Sequence, residues 1–199
     1  MKRTSIAVAV LLLASAPAFA DDPHAGHQDM TAAPVDHGES VYHLEGRWTD
    51  HRGADFTLAS LRGGPVVIVM LYGSCTSACP ILVHDAHRLE SLLVGDVRKK
   101  TQFVLVSFDP VNDTPETLAD YATGRGLDDP GWRFVQGDRA QIRALAMLLG
   151  VRYRDNGDGT FDHSNLITVL DADGRAVHRV EGLMRPMDAA ATAVAGAAR

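Results

Sequence analysis

Cysteine is almost missing from this chain: Cys75 and Cys79 are the only two in 199 residues. So sparse a set excludes the disulfide-dense scaffold of small secreted domains. The three-residue gap between them also makes a merely structural bridge unrewarding, because closing so short a loop removes little entropy from the unfolded chain. Positive charge is scarce as well, with 19 Lys and Arg against 25 Asp and Glu and a formal net charge of -6. That balance lacks the basic face that phosphate binding needs and argues against nucleic acid as a partner. No apolar run is long enough to span a bilayer, and neither an internal repeat nor a second domain is visible.

The start of the chain has its own pattern. Lys2 and Arg3 precede the apolar run Ile6-Ala-Val-Ala-Val-Leu-Leu-Leu13 and the small-residue ending Ala18-Phe19-Ala20, so residues 1–20 are expected to be a cleavable secretory signal peptide. No cysteine stands near the cleavage point to carry a lipid. The expected location is the periplasm of a Gram-negative cell, reached without a retained membrane span. Cleavage removes two cations and takes the charge from -6 to -6 - 2 = -8. Residues 21–40 are polar, lack apolar periodicity and are expected to form a disordered leader. It carries His24, His27, Met30 and His37, a tract that either captures metal or is simply solvated.

Residues 41–199 are long enough for one domain with a substantial core. Two short strand-like pieces flank a turn at His51-Arg52-Gly53, which predicts an entrance hairpin. Pro65-Val-Val-Ile-Val-Met-Leu71 reads as a central strand covered on both faces. After the cysteines, Leu82, Ala86, Leu89 and Leu93 recur at helical spacing behind Pro80. Further strands are predicted at 101–108 and 132–136, with helices from Asp113-Thr-Pro-Glu116 to about Thr123 and from Asp138 to Leu149. Asn165–Leu170 and Arg175–Val180 flank Asp171-Ala-Asp-Gly174 as a hairpin, and an alanine-rich helix closes the chain. The order predicts an α/β fold of thioredoxin-like type: a central mixed sheet, helices on both faces and an N-terminal β-hairpin.

The chemistry concentrates where the first central strand feeds its helix. A helix N-terminus lowers a thiol's pKa, and the thiolate is the form that binds metal or attacks a disulfide, so Cys75 and Cys79 suit either role. His84 and His87 could chelate from one helix but read as exposed polar positions, and Asp109 and Asp113 read as turn and capping residues. Asp155-Asn-Gly-Asp-Gly159 fails the spacing of a calcium loop and reads as a tight turn.

Three motifs in order, Cys75-Thr-Ser-Ala-Cys79-Pro80, Ser107-Phe-Asp-Pro-Val-Asn-Asp-Thr-Pro115 and Asp162-His-Ser-Asn-Leu166, resemble the Sco/SenC family over residues 40–185. The resemblance implies a thioredoxin-like copper-binding metallochaperone for the binuclear centre of cytochrome c oxidase, with Cys75, Cys79 and His163 as ligands to Cu(I) or Cu(II). Its implied partners are the copper-bearing oxidase subunit and a periplasmic thiol reductant. Two thiolates and an imidazole favour copper and zinc over magnesium and calcium, and three protein ligands leave a position open for ligand exchange. The alternatives are a thiol–disulfide oxidoreductase, in which Cys75 and Cys79 would be catalytic, and a general copper buffer. Thr76, Ser77 and Ala78 depart from the Pro and acidic residue that many members carry between the cysteines.

Overall fold

The computed structural model describes residues 30–34 and 38–199. Its frame is a seven-stranded mixed sheet in the order β2-β1-β5-β4-β3-β8-β9. The strands of this sheet are β1 (Trp48–Asp50), β2 (Asp55–Phe56), β3 (Val66–Leu71), β4 (Gln102–Ser107), β5 (Trp132–Gln136), β8 (Leu166–Leu170) and β9 (Ala176–Glu181). Strands β3, β4 and β5 run parallel, while β1, β8 and β9 are antiparallel to their neighbours. Every residue of β3 is buried. Successive side chains in a strand point to opposite faces, so uninterrupted burial means that both faces of the sheet are covered. Each fully buried Val, Leu or Ile there stabilises the fold by about 1.5–3 kcal/mol.

The helices are α1 (Ala78–Leu92), α2 (Gly95–Lys100), α3 (Pro115–Thr123), α4 (Arg139–Leu149) and α5 (Asp188–Ala197). Helix α1 buries Leu82, Ala86 and Leu89, the predicted stripe, and packs against α5. It also buries two carboxylates. Asp85 accepts from the Met184 amide at 2.7 Å and from Arg88 at 2.8 Å, and Glu90 accepts from Trp132 Nε1 at 2.7 Å and pairs with Arg98 at 2.5 Å. Such partners offset the cost of taking a charge out of water. Helix α4 opens with the predicted Asp138–Gln141 capping box and stops at Gly150, whose φ of 75° is the left-handed conformation that glycine adopts without penalty.

Two elements escaped the sequence reading. The short helix α2 carries no buried residue, so no apolar stripe announces it. A separate two-stranded ribbon pairs β6 (Tyr153–Asp155) with β7 (Phe161–His163), and the Asp155–Gly159 turn is its tip. No helix among the described residues is long and apolar enough to cross a membrane. The expected signal peptide, with His24, His27 and His37, lies outside the described residues. Within the expected leader, residues 30–34 lie against the domain: the Ala33 amide donates to Gly150 O at 2.8 Å, the Ala32 amide to Glu181 at 2.6 Å, and Arg179 to Ala33 O at 3.0 Å.

Candidate metal centre

Topology brings three loops to one edge of the sheet. Leu71, the last residue of β3, pairs in register with Ser107, the last of β4, so the loops that follow both strands leave side by side. Strand β8 runs antiparallel to β3, with Ile167 opposite Val69, and therefore begins at the end where β3 finishes. His163 closes β7 just before β8 starts and so arrives beside the dithiol.

The ligand atoms of Cys75, Cys79 and His163 all lie within 4.8 Å of one another, and all three residues are buried. Both cysteines are free thiols. Cys75 occupies the loop, and Cys79 lies in the first turn of α1, where its backbone N–H reaches the Cys75 sulfur at 3.4 Å. Cys79 Sγ stands 3.4 Å from His163 Nε2. His163 Nδ1 faces the Ser164 carbonyl at 3.2 Å, which orients the ring with Nε2 toward the sulfurs. His163 ends a strand, is 5 % exposed, and is walled by aromatic rings. Its ring centroid lies 5.2 Å from that of Phe108 and 6.0 Å from that of Tyr72, the latter edge-on.

The two sulfurs differ in charge. Cys75 is held far below the ordinary thiol range because Cys79 donates a hydrogen bond to it, with help from His163 and from the amides of Cys79 and Ser77, against the opposing effect of burial. Burial pushes Cys79 well above that range, and the hydrogen bond to Cys75, the Cys75 charge and Asp113 push it further. Of the two, Cys75 is the readier to ionise. A soft cation arriving at such a pocket meets one readily ionised thiol, a second that releases its proton on binding, and an imidazole nitrogen.

The Ser107–Pro115 motif belongs beside this pocket. Asp109 forms the predicted turn, its carboxylate accepting from the amides of Val111 and Asn112 at 3.3 Å each. Asp113 does not cap the helix as predicted; Thr114 does, through its side chain to the Thr117 amide. Asp113 instead turns inward, is 2 % exposed, and accepts from the Gly73 amide at 2.8 Å and from the Ser107 hydroxyl. Burial raises its pKa, which those two hydrogen bonds oppose. His84 and His87 are both exposed, as expected, and His87 Nδ1 lies 3.0 Å from the Glu90 carboxylate. Met30 of the leader donates its amide to the His163 carbonyl at 3.4 Å. The aromatic wall, the bracing role of Asp113 and this backbone strap were not found from sequence; the only signal was that Phe108 and Asp113 lie inside one of the motifs.

The SCO1/SenC family model matches residues 36–198. The chain belongs to the SCO1/SenC family. A protein of Stutzerimonas stutzeri named for copper binding is 26% identical over 146 residues, 68% of this chain and 70% of that protein. The SCO1 homolog of Bacillus subtilis is 23% identical over 134 residues, 66% of this chain and 69% of its own length. Among solved structures, copper-bound ScoI of Bradyrhizobium japonicum is 30% identical with a TM-score of 0.60, over 76% of this chain and 96% of that one. The Bacillus structure BsSco, described as a member of the Sco family of cytochrome c oxidase assembly proteins, superposes with a TM-score of 0.65 over 78% of this chain and 93% of its own, at 21% identity. These SCO1/SenC structures share the thioredoxin-like fold predicted from the order of elements.

Proposed function

We propose that this SCO1/SenC protein is a periplasmic metallochaperone that holds one copper ion on Cys75, Cys79 and His163 and delivers it to the copper-bearing subunit of cytochrome c oxidase during assembly of the binuclear centre. The observation that carries the reading is the convergence of two sulfurs and one oriented imidazole nitrogen within 4.8 Å in a buried pocket. Copper-bound ScoI, 30% identical, supports the choice of cargo. Copper enters as a substrate: Cys75 offers its thiolate, Cys79 gives up its proton as it binds, and Nε2 of His163 closes the set. Three protein ligands leave room for a fourth from an acceptor, so the ion can move by stepwise ligand exchange. The periplasmic assignment is supported by the signal-like residues 1–20.

The test is anaerobic titration of the reduced protein with Cu(I) and, separately, Cu(II), followed by transfer to the soluble copper domain of the oxidase. One ion per chain, lost or greatly weakened in the Cys75, Cys79 and His163 variants, is the expected result. Binding at full strength by His163→Ala would defeat the three-ligand site.

A second reading rests on the charge asymmetry of the sulfurs. A buried thiolate beside a protonated partner is also the arrangement of a thiol–disulfide oxidoreductase, in which Cys75 attacks and Cys79 resolves. Rapid turnover of a disulfide substrate with negligible copper affinity would favour it. General copper buffering is tested by deleting residues 21–40 and counting bound copper; a loss of ions beyond the first would support that role for the leader.

A further inference from the structure

The loop that carries the dithiol is tied to its neighbour by one buried side chain. The carboxylate of Asp113 leaves the start of α3, where Thr114 already serves as the cap, and crosses to the loop after β3. One of its oxygens, Oδ2, accepts from the Gly73 amide at 2.8 Å and from the Ser107 hydroxyl. Ser107 in turn accepts from the Asp109 amide at 2.9 Å, and Asp109 closes the turn that delivers Asp113. Gly73 stands two residues before Cys75. A Cβ there would lie 2.6 Å from Asp113 Oδ1, closer than such contacts are found, so the absence of a side chain is what admits the carboxylate. The φ of Gly73 lies outside the left-handed region, so close approach rather than backbone conformation requires glycine.

We propose that Asp113 is a positioning residue for the dithiol: by holding the Gly73 amide it fixes the loop in the arrangement in which both sulfurs gather beside His163, and so favours copper loading over disulfide closure. The proposal rests on the copper-handling reading for its first consequence, though the second is independent of copper. Forming the Cys75–Cys79 bond takes two electrons from the two sulfurs; an oxidised thiol couple such as glutathione disulfide accepts them as its S–S bond breaks, and the two glutathione sulfurs take up the proton released by Cys79 and one from solvent. Closure that draws Gly73 away from Asp113 breaks a buried hydrogen bond, and that cost opposes the exchange.

The full-length protein and three variants test this: Asp113→Ala, Asp113→Asn and Gly73→Ala, together with the double variant Gly73→Ala/Asp113→Ala. Two quantities are read, the equilibrium with reduced and oxidised glutathione in the absence of metal, and the affinity for Cu(I) by competition with a chromophoric chelator. Thermal melting of each reduced protein identifies any that are unfolded. Asp113→Ala is expected to shift the glutathione equilibrium toward disulfide about tenfold, roughly 30 mV for a two-electron couple, and to weaken copper binding about tenfold. Asparagine keeps an oxygen that can accept from both Gly73 and Ser107, so Asp113→Asn is expected to stay within about threefold of the parent. Gly73→Ala should mimic Asp113→Ala, and the double variant should be no worse than either single one, because both break the same contact.

A folded Asp113→Asn protein that behaves like the alanine variant would overturn the proposal, since charge rather than position would then be responsible. Additive effects in the double variant would do the same. A parent protein that binds no copper, yet whose glutathione equilibrium moves in Asp113→Ala and is restored in Asp113→Asn, would leave the positioning role standing and remove the copper reading. Copper binding and glutathione equilibrium both unchanged across the variants would do the reverse.

Discussion

His163 Nε2 meets the Cys79 sulfur at 3.4 Å across 84 residues of sequence. The contact is made without solvent, since Cys79 is fully buried and His163 nearly so. Its consequence is a pocket whose donors are already oriented before any ion arrives, which lowers the ordering cost of binding. The consequences can be measured.

Removing the imidazole should be severe. His163→Ala is expected to weaken copper binding by more than about 100-fold, because loss of groups that merely support metal ligands already costs about 10–100-fold. Cu(I) competition assays give the affinity, and circular dichroism of the metal-free protein checks the fold. A change of less than tenfold would remove His163 from the ligand set.

The charge on Cys75 predicts an unusual pH profile. Its pKa is lowered chiefly by the hydrogen bond from Cys79, so the thiolate form persists as pH falls through the range in which an ordinary thiol, with a pKa of about 8.5, becomes protonated. Alkylation of the reduced, metal-free protein should therefore be nearly flat from about pH 5 to pH 8, rather than falling tenfold for each pH unit. In Cys79→Ala, which removes that donor, the slope should return. Mass mapping of the alkylated site must show Cys75 first, since Cys79 is raised by burial and held as the thiol.

The aromatic wall is a stability element as well as a support. Phe108 is 2 % exposed and stacks on Tyr153 at 5.1 Å while contacting Tyr72, Phe161 and His163. Phe108→Ala should destabilise the protein by about 3–5 kcal/mol, the usual cost of emptying a buried phenyl site. Urea denaturation at constant pH measures it, and copper affinity should fall in the same variant because His163 loses a packing surface.

The strap formed by residues 30–34 should loosen selectively. Its Ala32 amide depends on Glu181 and its Ala33 carbonyl on Arg179. Each such hydrogen bond contributes about 0.5–1.5 kcal/mol. In Glu181→Ala/Arg179→Ala, hydrogen exchange at residues 30–34 should accelerate about tenfold or more while β3 and β4 remain protected. Unchanged exchange in that segment would show that the backbone bonds Ala33–Gly150 and Met30–His163 suffice to hold it.

Most of the frame could be read from the residues because each signal was local. The all-apolar run ending at Leu71 gave β3, the capping pair Asp138 and Gln141 gave the start of α4, and Asp171-Ala-Asp-Gly174 gave the last hairpin. Helix α2 was not legible because none of its residues is buried, so it carries no apolar periodicity. The β6–β7 ribbon was missed for a related reason: strands of three residues are too short for an alternation to register.

The residue types and spacing of Cys75, Cys79 and His163 set the available chemistry, two soft donors and one borderline donor. Sequence likewise determined that the cysteines follow a buried strand and open a helix. Only the tertiary structure decided which sulfur carries the charge, which ring nitrogen faces it, and that Asp113 braces the loop rather than capping a helix. Those outcomes depend on burial and on hydrogen bonds between segments remote in the chain, and a linear pattern does not encode them.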